Sequence, residues 1–336
     1  MLKRFLNKFI YLLNLVVAVF FVLSFIIPYV PLKIVPILAV VSLGIPLLFI
    51  VNIFFCIYWI YKAKKHFVIS LSLIVIGLLV FDSFYQIEPK TELVPSHSID
   101  IMTYNTRLFN KYDWMDDENI PDEIIHFINE QHPEVLCLQE FDMDYKDAFE
   151  EYPYQVFSKE DNNKSIQAIF SKYPIKDFKV LDFESSNNAA LYADLQVANY
   201  TLRVFNVHLQ SLGVSDPNAI SNQEPKRLLK RMSSMFSKQE EQAALIRSEI
   251  DASSHFNIVT GDFNNTQFSR VYRLIKGKMN DSFIERGSGF GRSFDFKLFP
   301  MRIDFILTDD RLEVVDHQNF DVSFSDHYPI SSTLSL

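Results

Sequence analysis

The sequence is poor in cysteine: Cys56 and Cys137 are the two cysteines in its 336 residues. Cys56 lies in an apolar run and Cys137 in a predicted strand, so the pair does not form a disulfide framework. Cysteine usage therefore leaves the cellular compartment open. The sequence also has no internal repeat, which argues against a repeat architecture.

Positive charge is scarce outside the first ninety residues. Residues 1–90 hold eight of the 32 Lys and Arg and two of the 41 Asp and Glu, which leaves 24 basic and 39 acidic side chains and a net charge of −15 for residues 91–336. A wide nucleic-acid-binding surface needs a basic stripe, so this balance argues against one. It does not exclude a small metal-assisted site.

Long apolar runs dominate the amino-terminal part, at residues 9–27, 34–60 and 67–85. The first two reach the roughly 20 residues that a membrane-spanning helix needs, and the third does so only by extending past Asp82. We predict three transmembrane helices within residues 1–87. A cleaved signal peptide would explain only the first run, and no small-residue cleavage site follows it.

The distribution of Lys and Arg around these runs predicts their orientation. Three basic residues precede the first run: Lys3, Arg4 and Lys8. Three more lie between the second and third runs, at Lys62, Lys64 and Lys65, whereas the loop between the first and second runs has one, Lys33. Basic loops stay in the cytoplasm. We expect a multi-pass inner-membrane protein, with a cytoplasmic amino terminus and everything after Tyr85 outside the cytoplasm. If the third run is only re-entrant, the soluble part lies inside.

The remainder of the chain reads as a linker, residues 88–97, followed by one domain, residues 98–336. The linker contains two prolines and no hydrophobic periodicity. The domain contains many short predicted strands interrupted by helices at about 119–131, 141–152, 225–253 and 266–275. This pattern predicts an α+β layered sandwich.

The stretch from 256 to 264 is the centre of the functional interpretation. An apolar strand runs directly into Gly261-Asp262-Phe263-Asn264. Alternation along the strand places Asp262 and Asn264 on the same side, and Gly261 lets the backbone approach another group closely. A carboxylate and an amide at that spacing suit a hard metal ion or a phosphoryl group. An ordinary strand-to-turn junction is the alternative.

Other predicted strands also end in polar residues. These are Asn105, Glu140, His208 and the pair Asp326-His327, and Asp304 lies inside a further strand. A buried acid such as Asp304 is costly unless paired, and histidine is its natural partner. Carboxylate and amide oxygens without cysteine favour Mg²⁺, or Mn²⁺, over Zn²⁺.

Seven short motifs follow one another along this part of the chain. They are Met102-Thr103-Tyr104-Asn105, Leu138-Gln139-Glu140, Ile169-Phe170-Ser171-Lys172-Tyr173-Pro174-Ile175, Asn206-Val207-His208-Leu209, Gly261-Asp262-Phe263-Asn264, Arg302-Ile303-Asp304-Phe305-Ile306 and Ser325-Asp326-His327-Tyr328-Pro329-Ile330. In this order they resemble the motifs of the endonuclease/exonuclease/phosphatase (DNase I-like) superfamily, and the chain looks like a membrane-anchored, bacterial-type member. The resemblance covers about residues 98–336 and implies a four-layer α/β/β/α sandwich that hydrolyses phosphoester bonds with Mg²⁺.

The resemblance also implies a role for each site residue. The metal would be held by Glu140, with Asn105 and Asp326 beside it. The catalytic set would be Asp262 positioning or deprotonating water, Asn264 and His208 holding phosphate, and His327, oriented by Asp304, acting as acid or base or stabilising the developing charge.

Two departures from the family pattern bear on the substrate. Arg107 replaces an acid found in some nucleases of the group, which offers a phosphate clamp and weakens a two-metal scheme. His208 resembles the phosphodiesterase and lipid-acting branches, and residues 211–231 look like an insertion beside the site. We expect a membrane-anchored phosphodiesterase acting on a lipid headgroup or other small phosphodiester. An extracytoplasmic nuclease acting on nucleic acid is the runner-up, and a catalytically inactive tethered binding domain is the third. Besides the phosphoester, the expected partner is the lipid bilayer, contacted through the amino-terminal helices.

Overall fold

The computed structural model describes residues 2–32, 39–81, 83–87, 98–158, 165–213, 224–296 and 299–336. The predicted linker, residues 88–97, lies outside the described residues, as do residues 214–223 of the predicted insertion. The described chain consists of an amino-terminal group of helices and an α+β part with two sheets.

The amino-terminal helices are α1 (Leu2–Ile26), α2 (Ala39–Leu43), α3 (Ile45–Tyr61) and α4 (Phe67–Val80). With a following 3-10 turn, α1 extends through Tyr29 as a largely apolar segment of 28 residues. Among the described helices it is the one long enough to cross a membrane, a test that a signal sequence also passes.

The prediction of three membrane-spanning helices is wrong by length. At 17 and 14 residues, α3 and α4 are about 25 and 21 Å long, whereas the hydrocarbon core is about 30 Å thick. The second apolar run is interrupted because Gly44 separates α2 from α3, and Pro46 lies in the first turn of α3. The third run ends as a helix at Val80 and does not continue to Tyr85.

Helices α1, α3 and α4 pack against one another around a buried polar side chain. The Nδ2 of Asn14 donates to the Oγ of Ser70 at 2.8 Å, and its Oδ1 accepts from the Nε1 of Trp59 at 3.1 Å. The outward faces carry exposed apolar side chains such as Phe54 and Leu79. Polar contacts inside and apolar side chains outside are the pattern of a helix bundle in lipid.

Two six-stranded sheets form the centre of the α+β part. The first sheet has the order β11-β12-β1-β2-β4-β3 and the second the order β5-β6-β7-β8-β10-β9. Each sheet contains one parallel pair, β1 with β2 and β7 with β8, and its other pairs are antiparallel. The strands are β1 Ser98–Asn105, β2 Val135–Phe141, β3 Tyr154–Phe157, β4 Ile166–Ser171, β5 Ile175–Asp182, β6 Ala189–Val197, β7 Tyr200–His208, β8 Phe256–Asp262, β9 Asn280–Asp281, β10 Asp304–Thr308, β11 Glu313–Asn319 and β12 Ile330–Ser335.

Three apolar cores separate four layers. Residues such as Val135 and Ile169 from the first sheet and Val204 and Ile258 from the second form the core between the sheets. The outer face of the first sheet packs on α5 (Ile120–Gln131). The outer face of the second packs on α6 (Pro225–Ala252) and α7 (Arg270–Lys276), and a short helix, α8 (Ser282–Arg286), follows β9. The prediction of an α+β sandwich with two sheets is confirmed.

Two element predictions differ from the structure. The segment after Glu140, predicted as an α-helix, is a 3-10 helix from Met143 to Phe149 that begins with the Oδ1 of Asp142 accepting from the backbone N–H of Asp144. The helix predicted to start at Thr266 begins at Arg270, because the hydroxyl of Ser269 caps it by accepting from the N–H of Tyr272.

The amino-terminal helices are joined to the second sheet's outer layer by polar and apolar contacts. The N–H of Leu32 donates to the Oε2 of Glu240 at 2.7 Å, and Glu240 also pairs with Arg270. The buried ring of Phe268 packs edge-on against Phe81, at 5.0 Å between centroids. These contacts set the helical bundle directly against the α+β part of the chain.

Candidate active site

The two parallel strand pairs bring the predicted site residues to one edge. β1 ends at Asn105 and Glu140 lies near the end of β2, while β7 ends at His208 and β8 at Asp262. These strand ends open on a cavity of about 390 Å³. Of the nine predicted site residues, the ninth, Asp304, lies behind His327. The other eight line the cavity: Asn105, Arg107, Glu140, His208, Asp262, Asn264, Asp326 and His327.

Gly261 is required by the close approach of β7 and β8. Its φ is +120°, and a Cβ at this position would lie 2.1 Å from the carbonyl oxygen of Val207. The sequence predicts that the backbone here approaches another group closely, and in the structure that group is the neighbouring strand. The glycine thereby fixes the position of Asp262 beside His208, its partner in register.

Glu140 and Asn264 both occupy left-handed backbone conformations, with φ of 50° and 49°. The pairing of β2 with β4 shifts register between Leu138 and Phe141, which includes Glu140. Such an irregularity re-aims a side chain at the end of a strand. Left-handed non-glycine residues are uncommon and cluster at functional sites.

Asp262 is the centre of the hydrogen-bond network. Its Oδ1 accepts from the backbone N–H of Asn264 at 2.6 Å, and its Oδ2 accepts from the Nδ2 of Asn105 at 3.1 Å. Burial raises the pKa of Asp262 to about 7, with His327 opposing the shift and Asp304 adding to it. A carboxylate in this environment exchanges a proton near neutral pH.

Asn264 orients Asp262 in this structure. Its Nδ2 donates to the Oδ2 of Asp262 at 3.1 Å and to the carbonyl oxygen of Leu209 at 3.0 Å. Both amide hydrogens therefore have partners inside the protein. The contact between Asn264 and phosphate that the resemblance implies stays a prediction.

His327 is held by a carboxylate. Its Nδ1 lies 3.0 and 3.1 Å from the two oxygens of Asp304, and its Nε2 lies 3.6 Å from the Oδ2 of Asp262. Burial alone would lower the pKa of His327, but the charges of Asp304 and Asp262 outweigh it and raise the pKa to about 10. The imidazole is therefore a cation at neutral pH, with Nε2 directed toward Asp262.

His208 has the opposite character. Its Nε2 lies 3.5 Å from the Oδ2 of Asp262 and 3.7 Å from Glu140, and its Nδ1 lies 3.3 Å from the Oγ of Ser165. Burial lowers the pKa of His208 to about 3, and the nearby charge of His327 lowers it further. The ring is neutral. Ser165 was not predicted, because one serine before a strand is a common feature.

The residues predicted to hold metal provide oxygen ligands in an electronegative setting. Burial raises the pKa of Glu140, partly offset by His327, and the charge of Asp326 raises it further. With every group ionised, four carboxylates, on Glu140, Asp262, Asp304 and Asp326, face two cations, His327 and Arg107, which leaves a formal charge of −2. A hard divalent cation fits this donor set and this charge.

A second group of ligand atoms overlaps this one. One atom each from Asp262, Asp304 and His327 lie within 4.8 Å of one another, and all three residues are buried. The Nδ1 of His327 is already paired with Asp304, which leaves this set with one free imidazole nitrogen. The oxygen-rich set of Asn105, Glu140 and Asp326 suits Mg²⁺ better.

Arg107 supplies positive charge at the rim of the cavity. Its guanidinium lies 3.5 Å from the Oδ2 of Asp326 and 4.5 Å from the centroid of the Trp114 ring, which also lines the cavity. Trp114 was not predicted. The stacked guanidinium keeps donors available for an anionic group.

Two buried amides connect the sheets beneath the site. The Nε2 of Gln139 donates to the Oδ1 of Asn206 at 2.7 Å and to the Oγ1 of Thr103 at 2.8 Å. The Nδ2 of Asn206 donates to the carbonyl oxygens of Leu138 and Ala168, both at 2.8 Å. Both residues belong to the motifs that resemble the family, but no role was predicted for them, since a buried amide pair has no characteristic spacing in a sequence.

The described residues of the predicted insertion, 211–213 and 224–231, border the site. Ser211 and Leu212 at its start and Leu228 at the start of α6 line the cavity. Leu43, from the amino-terminal helices, lines it too. No sequence pattern predicts that contact, because one leucine in an apolar run is indistinguishable from its neighbours.

Comparison with solved structures shows the same fold in proteins of very different sequence. An endonuclease/exonuclease/phosphatase from Bacteroides vulgatus superimposes with a TM-score of 0.54 and 16% sequence identity, and the match covers 71% of this chain and 99% of that one. Mannosyl-6-phosphatase from Bacteroides thetaiotaomicron has a TM-score of 0.54 and 16% sequence identity, and the match covers 71% of this chain and 100% of that one. D. rerio TDP2, solved with a single-strand DNA product, has a TM-score of 0.54 and 14% sequence identity, and the match covers 71% of this chain and 99% of that one.

Sequence comparison assigns the two parts of the chain to different families. No curated protein sequence matches the chain. Residues 7–84 match a family described only as a domain of unknown function. Residues 102–327 match the profile of the Endonuclease/Exonuclease/phosphatase family. That match covers most of the chain and all the strand ends that form the cavity, so the chain belongs to the endonuclease/exonuclease/phosphatase family.

Proposed function

We propose that this protein is a membrane-anchored, metal-dependent phosphodiesterase that acts on a lipid headgroup or another small phosphodiester outside the cytoplasm. The observation that carries the proposal is the placement of Asp262. Its carboxylate lies 3.5 Å from the neutral His208 and 3.6 Å from the cationic His327, at the edge that also carries Glu140. Family membership supplies the reaction class, because its members are phosphoester hydrolases.

The metal site would be formed by Asn105, Glu140 and Asp326, with Mg²⁺ as the expected ion and Mn²⁺ as the alternative. A bound divalent cation supplies Lewis-acid polarisation of a phosphoryl oxygen. The net charge of −2 around these residues supports this assignment, since an uncompensated carboxylate cluster is costly to bury.

Asp262 would accept the proton of the attacking water. A pKa raised to about 7 suits a general base that works near neutral pH. Asn264 and Asn105 hold both carboxylate oxygens by hydrogen bonds, which fixes the direction of the acceptor lone pairs.

The two histidines would act on the phosphate differently. If the hydroxyl of Ser165 donates to the Nδ1 of His208, the Nε2 of His208 carries hydrogen and donates to a phosphate oxygen. His327, a cation oriented by Asp304, would stabilise the charge that develops on phosphate or protonate the leaving oxygen. Arg107 would contact phosphate at the rim.

Packing within the bundle supports retention of α1 as a membrane anchor. The hydroxyl of Tyr58 donates to the Oδ1 of Asn7 at 2.8 Å, and Asn14 bonds both Ser70 and Trp59. Cleavage of α1 as a signal sequence would leave these groups without partners. One crossing by α1, with α3 and α4 as an inserted hairpin, puts the catalytic part on the side opposite the amino terminus. The basic residues Lys3, Arg4 and Lys8 favour a cytoplasmic amino terminus.

The test is hydrolysis of bis(p-nitrophenyl) phosphate by the full-length protein in detergent, with and without Mg²⁺. We expect Asp262→Asn and His327→Ala each to lower kcat at least about 1,000-fold. Asp144→Asn, at a carboxylate that is 82% exposed, is the matched control and should retain normal turnover. Near-normal turnover by either site variant would overturn the assignment.

A nuclease is the second candidate, favoured by the likeness to TDP2 with bound single-strand DNA. It predicts cleavage of free DNA whose rate falls steeply with salt. The acidic balance of residues 91–336 weighs against it. Cleavage of a single-stranded oligonucleotide at several salt concentrations, beside the diester assay, separates the two candidates.

A further inference from the structure

The active-site cavity has two unlike surfaces. Its floor carries the charged and amide side chains of the site, whereas its wall is apolar and comes from three parts of the chain. These wall residues are Leu43 from the amino-terminal helices, Leu228 and Met232 from α6, and Phe294, Phe299 and Met301 from the segment before β10. None of the six side chains offers a hydrogen-bond donor, so the wall matches an apolar group and not a second charged one.

The apolar wall continues toward the helical bundle. Phe299 and Met301 also line a second crevice, of about 260 Å³, whose other side includes Ile50 and Ile53 of α3 and Leu78 of α4. These three side chains are 40%, 43% and 50% exposed, on a face that anchoring in a bilayer would turn to lipid. The shared lining residues Phe299 and Met301 therefore place this crevice on α3 and α4 directly beside the active-site cavity.

Positive charge lies next to the same wall. Lys226, Arg227 and Lys230 are exposed at the start of α6, on either side of Leu228. They stand out in a part of the chain that carries a net charge of −15. Basic side chains beside an apolar surface are the arrangement that anionic lipid headgroups attract.

We propose that the wall binds the apolar tail of a membrane lipid whose phosphoester lies on the floor, and that the lipid enters sideways from the bilayer between α3, α4 and residues 299–301. The inference rests on the proposed hydrolase function and adds where the substrate's tail is held. The amino-terminal helices contribute to substrate binding through Leu43, in addition to anchoring the domain.

A nucleic-acid strand matches these surfaces less well than a lipid does. Binding of a single strand combines aromatic stacking with a positively charged groove that follows the backbone. The cavity carries carboxylates on its floor and one arginine, Arg107, at its rim. In the connecting crevice the cation is Arg302, which is 2% exposed and paired with Asp281.

The test compares p-nitrophenyl alkyl phosphodiesters that share a leaving group and differ only in a methyl or an octyl tail. The full-length protein in lipid nanodiscs should hydrolyse the octyl ester with a kcat/KM at least about tenfold above that of the methyl ester, because methylenes are buried against the wall. Leu228→Asp should remove most of this preference. Leu229→Asp is the matched control, since its side chain is 37% exposed and does not line the cavity. Met232→Gln is the second wall variant, for use if Leu228→Asp fails to fold by circular dichroism.

The outcomes separate the tail site from the proposed function. Hydrolysis of neither ester by the wild type means that the proposed function fails. Equal kcat/KM for the two esters, or equal effects of Leu228→Asp and Leu229→Asp, overturns the tail site and leaves the hydrolase standing. Cleavage of a single-stranded DNA oligonucleotide with a kcat/KM above that of the octyl ester also overturns it.

Discussion

The two sheets follow the same plan and differ in what they supply to the cavity. In each, a parallel pair ends at the site edge and is flanked by antiparallel strands, one of which starts there: β4 next to β2, and β10 next to β8. The first sheet delivers Asn105 and Glu140, and the second delivers His208 and Asp262. The same strand arrangement, present in both sheets, places Asn105 and Glu140 opposite His208 and Asp262.

The comparison is sharpest at the residues that start β4 and β10. Ser165, just before β4, contacts the Nδ1 of His208 in the other sheet, and Asp304, at the start of β10, contacts the Nδ1 of His327, just before β12. Burial and the charge of His327 lower the pKa of His208, whose Nδ1 partner is a hydroxyl and not an anion, whereas the charges of Asp304 and Asp262 make His327 a cation. The partner of a buried imidazole, and not burial alone, decides its charge.

Within this pair of histidines, the larger effect is expected from removing the charged partner. Asp304→Asn should lower kcat about 1,000-fold, because His327 loses the anion that holds its proton and orientation. Ser165→Ala should lower kcat only about fivefold, the equivalent of one neutral hydrogen bond. Diester hydrolysis followed over a range of pH measures both, and Asp304→Asn should also shift the alkaline limb of the profile. Equal losses in the two variants, or an unmoved profile, would contradict the assignment.

A second prediction separates the contributions of the sheets. Glu140→Gln should weaken Mg²⁺ binding about 10- to 100-fold, because a carboxylate ligand becomes a neutral amide. Asp262→Asn should abolish turnover and leave Mg²⁺ affinity within about threefold of wild type. Calorimetric titration of both variants with Mg²⁺ tests the division of roles. A larger loss of affinity in Asp262→Asn would place the ion at the overlapping Asp262, Asp304 and His327 set instead.

The smallest expected effect concerns stability and pH. The first sheet also buries a neutral histidine, His317 on β11, whose Nδ1 lies 2.8 Å from the Oγ of Ser282. Burial lowers the pKa of His317 to about 4, with Asp281 opposing the shift. The unfolded chain, with an ordinary pKa of about 6.5, binds the proton first. The free energy of unfolding therefore does not depend on His317 above pH 6.5. It decreases as the pH falls toward 4, and the total loss is up to about 3 kcal/mol.

Thermal unfolding of the full-length protein between pH 7 and 4 measures this loss. Replacing His317 by Gln should flatten the dependence on pH, because the titrating group is gone. His126→Gln is the control, at a ring that is 75% exposed on α5. Parallel curves for wild type and His317→Gln would show that another group governs the acid limb.

Sequence patterns could predict the parts of the site that follow from strands ending in polar residues. Glu140, His208 and Asp262 follow buried apolar stretches, and the parallel pairing of β1 with β2 and β7 with β8 then brings them together. The α+β sandwich is predictable for the same reason, since alternating apolar positions define the strands. The roles assigned to these residues remain predictions.

Features without a periodic signal could not be predicted. Ser165 and Trp114 reach the site through tertiary contacts that no spacing encodes. The apolar run 34–60 reads as one helix by hydropathy, and Gly44 with Pro46 divides it. Hydropathy reports burial in lipid or protein alike, so it overestimates how many of these helices are long enough to span a bilayer.

The contact of Leu32 and Arg270 with Glu240, together with the packing of Phe268 on Phe81, has a consequence for kinetics. With the anchoring proposed above, the α+β part would stay at a constant height above the membrane and would not move through the surrounding volume. Its encounters with a lipid substrate would occur by lateral diffusion in two dimensions, so the rate would follow the mole fraction of substrate in that leaflet and not its bulk concentration. Lipid in the opposite leaflet, or in a neighbouring vesicle, would stay out of reach.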